Sequence, residues 1–449
     1  ETNDPRFPIS IRSRWSFLIS LASHWRWTKA CFAIDSLLNH MKRLDDKRCK
    51  GKIRHDQAEI LTSLVCAMVM GKTSLRRQVR WIQMNEKWLR KQKGMALTNG
   101  APSLATVDRI LCSIDAEQFQ LEFAMWAYEV ECFYAKEKVG DSMKQIAIDG
   151  KALCGAGSNV IPNSPTPVIL NAYSVSTGLV LAQYPIEEKS CELNELPDIL
   201  DLLDVRDCMV SIDAIATHIG LMVKIINSGG HFIFQVKANQ KSAMEDINRV
   251  FCEYENNKID FDVWETGPEK NRDRIEYRKV RSSDRLQDLQ SMENWPIGCF
   301  SLIETLRIMI IRDENENNIT PSKEEFLKSG SKRQPNAEPS DKKESEYQRI
   351  GLVSDINLNA ETLAEYKRGH WSIENKLHHV LDVTLGEDRS TARKSAVVLA
   401  LLRKFTYNIL MMAESDLKID FKSMGEEIDY LEGNRSLFAG YVFRGITAG

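Results

Sequence analysis

The chain has 449 residues, 43% of them apolar, which is enough material for two or three packed domains and excludes a small disulfide scaffold. Its 60 Lys and Arg nearly balance 63 Asp and Glu, yet residues 1–100 hold 20 basic against 8 acidic side chains. A basic head before an acidic body makes nucleic acid the first candidate partner.

The 10 cysteines stand singly with no CxxC pairing, and no window approaches 18 uncharged apolar residues. Zinc ribbons, a signal peptide and a membrane span are therefore not expected, and a cytoplasmic, reducing setting is.

Residues 1–140 predict a helical head, because apolar positions recur at three and four in AEILTSLVCAMVMG and EQFQLEFAMWAYEVECFYA. Between Lys72 and Lys93, Arg76, Arg77 and Arg80 alternate with Trp81 and Trp88. That pattern suits helices on a phosphate backbone, or a solvated surface over two core tryptophans.

Residues 141–240 change to extended patterning. Gln145 to Asp149 is a short apolar run ending on a carboxylate. Strands follow at 167–175 and 179–185, joined by the hairpin signal Ser176-Thr177-Gly178. A helix near 193–204, a strand at 208–213, another helix and a strand at 231–237 complete a mixed α/β sheet. Residues 241–355 alternate as a β-rich insertion with a polar, mobile loop at 321–346. Residues 356–415 return to helix, and 416–449 predict a short helix and a tail.

Three carboxylates have separate surroundings. Asp149 and Asp213 each close an apolar strand, and on one sheet rim they would repel unless a divalent cation lay between them. Either could instead cap the turn or helix that follows. Glu374 stands beside the apolar stripe of Ile373, Leu377, Val380 and Leu381, able to reach a sheet edge or to pair with Lys367 or Arg368. His370 and His378 are spaced for neither HxxxH nor HExxH, so zinc is not expected. Lys151 would share a strand face with Asp149, and Lys237 and Lys241 could grip a DNA strand or be plain surface charge.

These segments carry a resemblance. IAIDGKALCG, GLVLAQYPIEEKSCELNELPDIL, VSIDAIATHIGLMVKIINSGGHFIFQVKANQ and HWSIENKLHHVLDVTLGED, preceded by NGAPSLATVDRILCSIDAEQF, resemble bacterial insertion-sequence transposases of the DDE class, in the H-repeat-associated group. The resemblance implies a ribonuclease H-like core with an inserted β-rich region. It implies an enzyme whose catalytic, metal-holding triad is Asp149, Asp213 and Glu374, separated by 64 and 161 residues. It implies magnesium, with manganese as a substitute, and DNA as partner: a homodimer on paired transposon ends that cuts DNA and joins 3′-hydroxyls to a target. Asp149 would bridge two ions. Tyr366, Arg368 and Lys376 lie near the Glu as DNA contacts, although His370 and Leu381 occupy the positions where the wider superfamily has Arg and Lys. A domesticated, non-cleaving DNA binder and a nuclease without strand transfer are the competing readings.

Overall fold

The computed structural model describes residues 33–134, 143–156, 165–187, 192–213, 217–237, 240–271, 274–309, 311–312, 318–319, 345–390 and 392–447. The loop expected at 321–346 lies outside them except for its last two residues, which open a strand. The chain forms two compact units, Glu1–Cys208 with Gly369–Gly449, and Met209–Arg368. The basic head, the first three sheet strands and the C-terminal helices thus share one unit.

The first unit begins with helices α1 (Leu37–Lys42), α2 (Gln57–Val69), α3 (Leu75–Met84), α4 (Glu86–Leu89), α5 (Leu104–Ser113) and α6 (Ala116–Tyr134). Asp56 caps α2 by accepting from the Glu59 amide at 2.9 Å. Every residue of α2 is buried, as a helix apolar on all sides requires. Its one carboxylate, Glu59, is satisfied by the amides of Ala96 and Leu97. In contrast, α3 is two-faced: Gln78, Val79, Trp81 and Ile82 are buried, and Arg76, Arg77 and Arg80 are exposed.

Strands β1 (Lys144–Ala152), β2 (Val168–Ser174) and β3 (Val180–Ile186) form an antiparallel meander. The hairpin falls where the sequence places it, with Gly178 at a φ of 76° closing the turn onto Ser174. Helix α7 (Glu192–Asp201) follows.

The second unit runs β4 (Cys208–Ile212), α8 (Ile219–Asn227), β5 (His231–Val236), α9 (Lys241–Asn257), β6 (Asp262–Glu265), β7 (Glu269–Asn271), β8 (Arg274–Ser283), β9 (Cys299–Met309), β10 (Ser345–Ser354) and α10 (Ala360–His370). Strands β4 and β5 are parallel, joined by the α8 crossover. Strand β10 pairs antiparallel with β5, and β9, β8 and β6 continue outward in that order. The insertion therefore extends the sheet through β10. Phe251, Tyr254, Phe261 and Phe300 pack under it, with ring centroids 5.4–6.0 Å apart. Asp246 fastens the loop above α9, accepting from the amides of Gln290 and Ser291 at 2.6 and 2.8 Å.

The chain returns to the first unit through a π-helical segment, Ile373–His378, and α11 (His379–Val383). Helices α12 (Ala396–Leu417), α13 (Met424–Gly433) and α14 (Ser436–Phe443) follow. By length and composition α12 could cross a membrane, but 89% of its apolar window is buried inside the fold. Its Phe405 meets Phe119, Phe123 and Trp126 at 5.7, 4.7 and 5.0 Å. Its Asn408 bonds both backbone groups of Val180 at 2.8 Å, covering the outer edge of β3.

The stretch expected as a short helix and tail is instead two helices. Phe438 and Phe443 of α14 pack on Trp88 of α4, and Ile446–Thr447 pairs with Ala33–Ile34 in a two-residue ladder. All eight cysteines with described side-chain surroundings are free.

Candidate functional site

Asp149 lies inside β1, not at its end: the strand runs three residues further, to Ala152. Its Oδ1 accepts from the Gly150 amide at 2.9 Å, and its Oδ2 stands 3.6 Å from Nδ1 of His378. His378 closes the π segment that carries Glu374 four residues earlier, and this segment lies against β1. Ile373, Leu377 and Leu381 anchor it in the core, while Glu374 and Lys376 are exposed. A π turn inside a helical run is rare and is frequently found at functional sites. Among the described residues Glu374 makes no ion pair. Arg368, one of its expected partners, binds Glu269 at 3.0 Å within the second unit.

Behind Asp149 lies a buried charge cluster that sequence reasoning missed. Lys151, alternate to Asp149 on β1, has a side chain only 7% exposed. It meets Asp382 at 2.6 Å, Asp388 at 3.5 Å and Glu387 at 3.8 Å. The fully buried Lys404 of α12 holds the other side of Glu387 at 2.9 Å. Burial opposes the charge on Lys151, but Glu387, Asp382 and Asp388 outweigh it and raise its pKa. Glu387 is likewise pushed toward neutrality by burial and drawn back below the usual carboxylate range by Lys404, Arg403 and Lys151. Burial, with the nearby Lys151 and Lys404, lowers His378 to about 3, so the ring beside Asp149 is neutral at physiological pH.

Lys151 was expected to contact DNA. With its ammonium enclosed by three carboxylates it has no such reach, and its place is structural. The available signal was the adjacent Arg403 and Lys404 inside an otherwise apolar helix.

Gly155 shows how closely this layer is packed. A Cβ added there would stand 2.5 Å from the Ser390 carbonyl oxygen and 2.6 Å from that of Asp388. The glycine of the IAIDGKALCG segment therefore permits contact with the loop that holds Lys151.

Asp213 belongs to the second unit. It follows β4 with its side chain 49% exposed and pairs with Lys237 at 2.8 Å. It does not cap α8; His218 does, accepting from the Gly220 amide at 3.1 Å. Lys241 is exposed and pairs only loosely, at 3.8 Å, with Glu245. Tyr366 is buried in α10, so its ring serves packing first. Glu276 of β8 sits among Arg274, Arg278 and Arg307, an ion-paired strand face; Arg272 and Asp273 beside it lie outside the described residues. Among the described residues no three His, Cys, Asp or Glu side chains gather closely enough to hold an ion.

Arg76, Arg77 and Arg80 line a groove of about 520 Å³ in the first unit, together with Lys72, Trp81, Met84, Asn85, Glu432 and Arg435. The last two come from α13 and the turn after it, a contribution that reading the end of the chain as a tail concealed.

The three acids expected from the sequence thus lie inside a strand, after a parallel strand and on a π turn of a mixed α/β chain. Residues 168–409 match the transposase DDE domain, and residues 38–127 match the family described as DDE_Tnp_1-associated. The chain belongs to the DDE transposase family. The domain match begins after Asp149.

It is 27% identical to the "H repeat-associated putative transposase YhhI" of Escherichia coli K12, over 84% of this chain and 90% of that one. A protein in the dhlA 3′ region of Xanthobacter autotrophicus is 31% identical over 56% of this chain and 81% of its own. Among solved structures, a piggyBac transposase synaptic complex with hairpin DNA aligns at TM-score 0.40 and 10% identity, over 92% of this chain and 77% of that one. That likeness is too slight to argue from.

Proposed function

We propose that this chain is an active transposase that binds the terminal inverted repeats of its element, cleaves DNA there and joins the freed 3′-hydroxyls to target DNA. The core is read as ribonuclease H-like, and Asp149, Asp213 and Glu374 as the catalytic triad. The observation that carries the proposal is that the π turn bearing Glu374 lies against β1, the strand that bears Asp149.

The donor set suits magnesium or manganese, since all three groups offer hard carboxylate oxygens and an ammonium, Lys237, already stands beside Asp213 as a cation would. Two such ions would supply an activated water or 3′-hydroxyl and a stabilised leaving oxygen. Asp149 would face both, and the neutral His378 ring beside it adds no competing positive charge. Lys237 and Lys241 would take the phosphates nearest Asp213, and Lys376 and Arg368 those nearest Glu374. The exposed arginines of α3 would meet DNA outside the reacting bond. Two ends need two active sites, so a homodimer in the cytoplasm, working on the nucleoid, completes the proposal.

The test is incubation with labelled element ends, a plasmid target and magnesium. Joined products are expected. Cut ends alone would reduce the protein to a nuclease, and retarded but uncut DNA to a binder.

A further inference from the structure

The groove between α3 and α13 gathers cations that lack carboxylate partners. Several other arginines are matched: Arg43 to Asp35, Arg48 to Asp46, Arg90 to Glu86, Arg249 to Asp246 and Arg278 to Glu269, all within 2.8 Å. Arg76, Arg77 and Arg80 are exposed and have no carboxylate within ion-pair reach among the described residues. Arg76 and Arg80 stand one helical turn apart, a like-charge spacing that destabilises an isolated helix.

Opposite them, Arg435 donates to Asn85 Oδ1 at 2.7 Å and lies over the Trp81 ring at 5.9 Å. That fixes its guanidinium at the groove wall. Five cations line the groove against one carboxylate, Glu432, which Lys72 holds at 3.2 Å. Met84, 72% exposed, gives an apolar lip.

We infer that this groove binds the phosphodiester backbone of duplex DNA, with Arg435 from the C-terminal helices completing a site begun by the head, and with Glu432 as an internal competitor for its cations. The inference rests on DNA being the substrate and adds which surface grips it. Arg76 and Arg80 are about 6 Å apart along the helix axis, close to the ~7 Å rise of two nucleotides on one strand. A run of phosphates would give partners to Arg76, Arg77 and Arg80, and would free Lys72 from Glu432.

The test uses the full chain and a fluorescent 30-base-pair duplex in EDTA, so that binding is read without cleavage. Arg76→Ala with Arg80→Ala should weaken binding at least tenfold and lower the slope of log affinity against log salt by about 1.8. Glu432→Gln should tighten binding severalfold, and Arg435→Ala should weaken it. Arg435 also packs on Trp81, so its variant is compared at matched folded fraction by thermal melting; the two exposed arginines need no such correction.

Unchanged affinity and salt slope in the double variant, or no gain in Glu432→Gln, would overturn the inference. So would an acidic peptide that displaces the duplex with no arginine dependence of the duplex itself. Should the double variant still bind and the wild type still join ends, the groove fails and the transposase reading stands. Should the wild type bind DNA with the expected slope but never cut it, the reverse holds.

Discussion

Two lysine–carboxylate pairs in this protein have the same chemistry and opposite settings. Lys404 and Glu387 meet at 2.9 Å with both side chains fully enclosed, whereas Lys237 and Asp213 meet at 2.8 Å with a third to a half of each in water. Distance alone would rank them equal. Burial makes the first a fixed part of the architecture, because removing either charge takes from the other the buried partner that compensates it most closely. Solvent makes the second exchangeable, because water or another cation can take either side at little cost. An exchangeable pair is the setting a metal-binding carboxylate would need, whereas the enclosed pair suits a structural support.

The comparison breaks most sharply at Lys404. Lys404→Met should lower stability by about 3–5 kcal/mol, read as a fall in denaturation midpoint. Adding Glu387→Leu should recover most of that loss; no recovery would show that the pair does more than compensate itself.

Next in size is chemistry. Asp149→Asn should abolish end cleavage while leaving duplex binding within severalfold, measured by gel assay and by fluorescence anisotropy on one preparation. A parallel loss of both would dissolve the separation between the acids and the basic groove.

A third carboxylate sharpens the contrast. Glu427 of α13 is buried with no cation partner among the described residues, and burial, together with the nearby Glu414, raises it from 4.5 to about 8. Its folded pKa lies above its unfolded value, so the stability it contributes is fully present below about 4.5 and is lost as pH rises through about 8. Glu427→Gln should accordingly melt higher than wild type at pH 9 and gain nothing at pH 5. Smallest of all, Lys237→Gln should change stability by no more than about 1 kcal/mol, with the same melting point within a few degrees.

Much of this was legible in the chain. The 168–186 hairpin, the helical head and the crossover between β4 and β5 follow from local periodicity and turn residues, which need no partner to be recognised. The end of β1 was not legible. Gly150 and Lys151 look like a polar exit from an apolar run, yet the strand stays paired with β2 to Ala152 and three carboxylates more than two hundred residues later enclose the lysine. Residues 424–443 failed for a related reason: α13 and α14 gain their helical register from packing such as Phe438 and Phe443 on Trp88, a residue of the head. Candidate acids could be proposed from their settings. Their support could not, since desolvation and compensation are properties of the assembled interior.

The first unit is interrupted in sequence by the second, and this has a temporal meaning during synthesis. Residues 209–368 leave the ribosome before 369–449, so at 5–20 residues per second roughly 10–45 s separate the emergence of β3 from that of the helix that covers its edge. Until then the nascent head displays α3 without Arg435, and β1 carries Asp149 without the turn that bears Glu374. Neither the complete groove nor the contact between β1 and the turn bearing Glu374 can form until residues 369–435 have been translated.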